Sequence, residues 1–74
     1  MTFEFTSGID AHAVLEIHNI LGQKVITLMD RMVKEGVLNR IEYQPLDPLP
    51  GIYMYRLMLD NTIQTGKIVY TRNE

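Results

Sequence analysis

The stretch Ala13-Val14-Leu15-Glu16-Ile17-His18-Asn19-Ile20-Leu21-Gly22-Gln23-Lys24-Val25 decides the fold. Ala13, Leu15 and Ile17 alternate with Glu16 and His18, the period of a strand with one buried face. Val14 interrupts the alternation, so the second face of this strand, residues 13–18, is expected to be partly covered. Ile20-Leu21-Gly22 has the form of a three-residue hairpin loop, a type I turn followed by a left-handed residue with a bulge. Gly22 is the residue that allows the positive φ. A second strand then runs over residues 23–29. Strand, tight turn and strand within so few residues are the unit of an antiparallel sheet.

Outward from this hairpin, turn signals recur along the whole chain, as in an all-β sandwich. Residues 2–6 form a short strand with Phe3 and Phe5 on one face, followed by the turn Ser7-Gly8-Ile9-Asp10. Residues 28–36 are ambiguous: Leu28, Met29, Met32 and Val33 have helical spacing and Gly36 could end a helix. The run is too short to be a stable helix alone and reads as an irregular connection with a helical turn possible. Residues 37–43 alternate, with Asn39, Ile41 and Tyr43 on one face and Arg40, Glu42 and Gln44 on the other. Pro45-Leu46-Asp47-Pro48-Leu49-Pro50-Gly51 is too proline-rich for a paired central strand and reads as a stiff crossover between sheets. Residues 52–59 are apolar on both faces apart from Arg56, which predicts a central strand covered on both sides. Asp60-Asn61 suits a two-residue type I′ turn, and residues 62–71 form the last strand. The expected fold is an immunoglobulin-like antiparallel β-sandwich of six or seven strands in one domain, residues 1–74. Leu15, Ile17, Val25, Ile41, Tyr53 and Leu57 are its predicted core. A seventh strand, customary in such sandwiches, is expected upstream of Met1 or in shortened form.

Composition narrows the chemistry. Seven basic and nine acidic residues are scattered through the 74, giving a net charge of −2 and no basic stripe for nucleic acid. There is no cysteine, hence no disulfide and no thiolate metal site. No apolar run approaches the ~20 residues of a membrane-spanning helix. His12 and His18 lie roughly 20 Å apart along a strand at ~3.3 Å per residue, too far to chelate one ion, and read as solvent-facing. The only serine, Ser7, has no nucleophile-elbow context, and no carboxylate pair or phosphate loop is present. Neither catalysis nor a cofactor is expected. Tyr43, Tyr53, Tyr55 and Tyr70 read as sheet packing. Met29, Met32, Met54 and Met58 read as gap-fillers, with Met54 and Met58 alternatively part of an adaptable binding surface.

Three segments taken together carry a resemblance. His18-Asn19-Ile20-Leu21-Gly22-Gln23-Lys24-Val25 is similar to a Tyr-Asn-x-x-Gly-x-x-Val strand ending, with histidine for the common tyrosine. Leu49-Pro50-Gly51-Ile52-Tyr53 is similar to a Leu-x-x-Gly-x-Tyr entry to the penultimate strand, one residue shorter. Lys67-Ile68-Val69-Tyr70 matches a final strand with lysine before a hydrophobic run, and Tyr43 stands where a tryptophan often precedes the crossover. In this order, over about residues 11–71, they resemble the C-terminal sorting domain of cargo proteins of the bacterial type IX (Por) secretion system. The resemblance implies that the chain is the end of a longer precursor. It also implies partners: the type IX translocon, outer-membrane shuttle proteins and the chain's own N-terminal passenger. The localisation it implies is the periplasm in transit to the outer membrane, the cell surface or the medium. The motif residues Asn19, Gly22, Val25, Leu49, Gly51, Tyr53, Lys67, Ile68, Val69 and Tyr70 are the expected recognition or structural positions. A hydrophobic terminal strand also predicts a homodimer formed by edge pairing or strand exchange. Alternatives are a retained immunoglobulin-like interaction or adhesion module, akin to the domain in flagellar hook-cap proteins, and a carbohydrate-binding module. The last would display Tyr53 and Tyr55 as a flat exposed platform.

Overall fold

A computed structural model describes residues 1–44 and 50–70. The strands are β1 (Thr2–Thr6), β2 (Ala11–Asn19), β3 (Lys24–Val33), β4 (Leu38–Glu42), β5 (Gly51–Leu59) and β6 (Thr62–Tyr70). They form two sheets, a four-stranded one in the order β3-β2-β5-β6 and a two-stranded one, β1-β4. Every ladder is antiparallel, with one isolated parallel bridge between Ser7 and Glu35. The architecture is the expected all-β, immunoglobulin-like sandwich, and no helix occurs among the described residues.

β2 is the strand about which the larger sheet is organised, because it is paired on both edges. Its odd-numbered residues Ala11, Ala13, Leu15 and Ile17 are all buried, Ala13 completely (0% exposed). Strand period two sends them to one face, the face that the β1-β4 sheet covers. Leu15, Ala11, Ala13, Met29, Val33 and Leu57 form the core cluster, with Phe3, Phe5, Leu28, Ile41, Tyr55 and Leu59 packed around it. Phe3 meets Tyr55 edge-to-face, ring centroids 5.9 Å apart, so an aromatic pair joins the two sheets. As expected, Val14 is half-buried and Asn39, Ile41 and Tyr43 share the inward face of their strand.

Five sequence expectations are corrected. Val25 is 48% exposed and not core. The β2–β3 register runs Ile17↔Ile26 then His18↔Lys24, which leaves Val25 as the extra residue of a bulge and sets Ile26 opposite Ile17. Residues 28–33 are strand, neither irregular nor helical. A second bulge, between Leu15↔Met29 and Glu16↔Thr27, makes Leu28 the extra residue, so two apolar residues stand in sequence where a simple strand would alternate. Strand β5 is central, but only one face is covered: Ile52 and Met54 on the other face are exposed. The Asp60-Asn61 loop has two residues but is not type I′, since Asp60 alone takes a positive φ, +50°. Asp60 is anchored to β2: its backbone N–H donates to the His12 carbonyl at 3.0 Å, and its Oδ1 accepts from the His12 N–H at 2.9 Å. Ile17 is buried though outside the main cluster, while Ile41 and Tyr53 are only half-buried. The chain changes sheets between β4 and β5 as expected. Residues 45–49, in the proline-rich segment that makes this change, lie outside the described residues.

The turn after β1 buries Ser7 while Gly8, Ile9 and Asp10 stay exposed, and side-chain hydrogen bonds satisfy its polar groups. The Ser7 hydroxyl donates to the Ile9 carbonyl at 2.6 Å and accepts from the Ile9 N–H at 3.2 Å, and Asp10 Oδ1 accepts from the Glu35 N–H at 2.8 Å. Truncating Leu15, which is 2% exposed, removes methyl groups at the centre of the cluster. We expect Leu15→Ala to lower unfolding stability by about 3 kcal/mol. Urea denaturation followed by circular dichroism checks this, against Leu21→Ala in the exposed loop, which should stay within about 0.5 kcal/mol of the parent.

Candidate functional site

The β2–β3 hairpin is closed by one side chain. Asn19 Oδ1 accepts from the N–H groups of Leu21 and Gln23, each at 3.0 Å, and its Nδ2 donates to Gln23 Oε1 at 2.9 Å. The Asn19 carbonyl accepts from the Gly22 N–H at 3.0 Å, and Gly22 takes φ +81°. This is an Asx-type turn, which explains why asparagine and glycine are needed three residues apart. Next to it, His18 Nε2 lies 3.0 Å from Glu16 Oε1 and Nδ1 lies 3.2 Å from the Gly22 carbonyl. The ring is pinned between its own strand and the loop and is half-buried, which corrects the expectation that His18 faces solvent. His12, on the same face of β2, instead pairs with Asp30 of β3.

The motif segments converge although they are far apart in sequence. Asn19 is the register partner of Tyr53, Tyr53 of Ile68, and Gly51 of Tyr70. Asn19, Gly22, Val25, Gly51, Tyr53, Lys67, Ile68, Val69 and Tyr70 therefore share one end of the four-stranded sheet, where the β2–β3 loop, the start of β5 and the end of β6 meet. Leu49 lies outside the described residues. Gly51 has φ +152° and open space where a Cβ would stand, so its conformation and not its packing calls for glycine.

One glycine has the opposite cause. At Gly66, opposite Tyr55 on β6, a Cβ would lie 2.6 Å from the Tyr55 hydroxyl oxygen and nearer still to its ring. The ring lies across the strand where a side chain is missing, the arrangement of an aromatic covering a strand glycine. An isolated glycine inside a strand pattern was the available signal for this position. Tyr53 and Tyr55 are half-buried on the inner face and do not form an exposed platform.

The outer face of the large sheet is different. Register pairs Ile52↔Val69, Met54↔Lys67, Arg56↔Thr65 and Met58↔Ile63 line it across β5 and β6. Val69 is 60%, Ile63 53% and Met54 44% exposed. Arg56 is half-buried beside them, opposite Glu16 of β2. Among the described residues, neither Arg56 nor Lys67 has an ion pair, whereas Arg40 on the outer face of the small sheet has Glu42 at 3.2 Å and Glu4 at 3.8 Å. β6 is also an edge strand. Its loop closes on the Leu59↔Thr62 pair, so Thr62, Gln64, Gly66, Ile68 and Tyr70 turn their backbone groups towards β5. Ile63, Thr65, Lys67 and Val69 turn theirs to the free side. The same four residues thus hold the open edge and point their side chains to the outer face.

Between the sheets, β1 and the inner face of β5 and β6 border a cavity of about 260 Å³ lined by Phe3, Phe5, Leu15, Tyr55, Leu57 and Gln64, among others. It lies where two strands cover four. Among the described residues no cluster of His, Asp and Glu could hold a metal ion. Comparisons with protein-family models, curated proteins and solved structures find no match to the chain.

Two substitutions separate the causes at the glycines. Gly51→Ala should cost about 1 kcal/mol through backbone strain alone. Gly66→Ala should cost roughly 1–3 kcal/mol by displacing the Tyr55 ring and with it the Phe3 contact. Urea denaturation gives the energies, and near-ultraviolet circular dichroism, sensitive to tyrosine packing, should change for Gly66→Ala only.

Proposed function

We propose that this chain is the C-terminal sorting domain of a type IX secretion cargo. It acts as an address that export components recognise, and it carries out no catalysis. The observation that carries this reading is the convergence of three sequence-distant motif segments at one end of a sheet, beside an open edge strand. Strand addition needs what β6 offers: a row of backbone donors and acceptors, and alternating side chains for register. The half-buried tyrosines speak against a sugar platform.

On this reading the partners are the translocon and outer-membrane shuttle proteins, with the chain's own passenger upstream. The domain moves through the periplasm to the outer membrane, the surface or the medium. Pairing of two copies through β6 follows from the same edge. The exposed Ile52, Met54, Ile63 and Val69 also favour a second reading, an interaction module retained on a cell-envelope protein; there the domain would stay attached to the surface-exposed product.

The test is a fusion of the domain to a reporter with a periplasmic signal, in a bacterium that has the type IX machine. The intact domain should bring the reporter to the cell surface, and removal of residues 67–74 should abolish this while the reporter accumulates in the periplasm. Unchanged surface delivery after the deletion would refute a sorting role for β6.

A further inference from the structure

Resting on the strand-addition reading, we infer that the segment added to β6 is an extended, antiparallel peptide of defined pattern. An acidic residue stands opposite Lys67, a small polar one opposite Thr65, and apolar ones opposite Val69 and Ile63. Three observations lead there. The backbone groups free for pairing belong to Ile63, Thr65, Lys67 and Val69, so the register partners of these four residues share the outer face with them. Lys67, with Arg56 diagonal to it across the β5–β6 ladder, supplies positive charge that no described residue pairs. Ile63 and Val69 flank this charge with exposed apolar surface. Antiparallel addition continues the direction of all three ladders already in the sheet.

The attraction is local, because the chain as a whole carries −2 and would repel an acidic peptide at long range. Register is therefore set at Lys67. A slip by one residue would turn the acidic side chain to the inner face, and a slip by two would place it opposite Thr65 or Val69. A second copy of the chain fits the same edge differently. A two-fold arrangement centred on Gly66 would set Ile63 against Val69 and Lys67 against Thr65, with no charge pair to lose.

The experiment titrates the isotopically labelled chain with two short peptides and follows backbone amide signals. Both peptides carry valine at each end and threonine in the matching interior place; one has glutamate and the other lysine to face Lys67. We expect the glutamate peptide to shift the amides of Ile63, Thr65, Lys67 and Val69 and to bind roughly three- to tenfold more tightly than the lysine peptide. In Lys67→Glu, an exposed substitution, the preference should reverse. Equal binding of both peptides at β6, unaffected by Lys67→Glu, would overturn the charge-set register while leaving strand addition standing. No shift at β6 with either peptide, or shifts confined to β1 and the inter-sheet cavity, would overturn strand addition at this edge as well. Self-association of the chain that excludes both peptides, measured by sedimentation, would overturn the acidic partner in favour of a second copy.

Discussion

The alternation of β2 is the constraint on which the rest depends. Ala11, Ala13, Leu15 and Ile17 must all face inward, because β2 is paired on both sides and a slip of one residue would present His12, Val14, Glu16 and His18 to the core instead. That would bury ionisable groups against apolar surface, at a cost this domain cannot bear. A chain of 74 residues buries only about 60% of the surface its unfolded form exposes, so its stability is thin. With β2 fixed, β5 is placed by its ladder to β2, and β6 follows through a two-residue loop anchored to His12. The small sheet then has one apolar face to cover, and it does so with Phe3, Phe5 and Ile41.

Covering four strands with two has a consequence for function. Cover is incomplete between β1 and the inner face of β5 and β6, where the cavity of about 260 Å³ lies. Tyr55 compensates in part. Its ring spans Gly66 and meets Phe3, so a single side chain holds the edge strand's inner surface to the opposite sheet. The edge itself stays open among the described residues. Natural sheets usually blunt such an edge with charge or shortness. β6 has nine residues and Lys67 as its only charge. The strand is thus long enough to accept a partner, with one charge that can specify which one.

Much of this was legible in the sequence because strand periodicity is a local signal. The inward residues of β2, the Asn19–Gly22 hairpin, the faces of β4 and the central place of β5 all followed from alternation and turn chemistry. Two of the errors share one physical cause. A bulge adds a residue without leaving a mark in composition, so Val25 was read as core and residues 28–33 lost their strand character. The Tyr55–Gly66 contact depends on which residues a ladder brings together, and two separately read strands do not contain that information. An open edge on the terminal strand was expected, but which residues turn their backbone groups to it depends on the register of the β5–β6 ladder. The motif residues were visible one segment at a time, and their meeting at one end of the sheet was not.

The central claim is that β6 is the surface the export machine reads. Site-specific photo-crosslinking in export-competent cells tests it most directly, with a photoreactive residue replacing Lys67 in one variant and Arg40, on the outer face of the small sheet, in another. The account predicts adducts to outer-membrane components of the type IX machine from position 67 and few or none from position 40. Adducts concentrated at position 40, or equal at both, would contradict it.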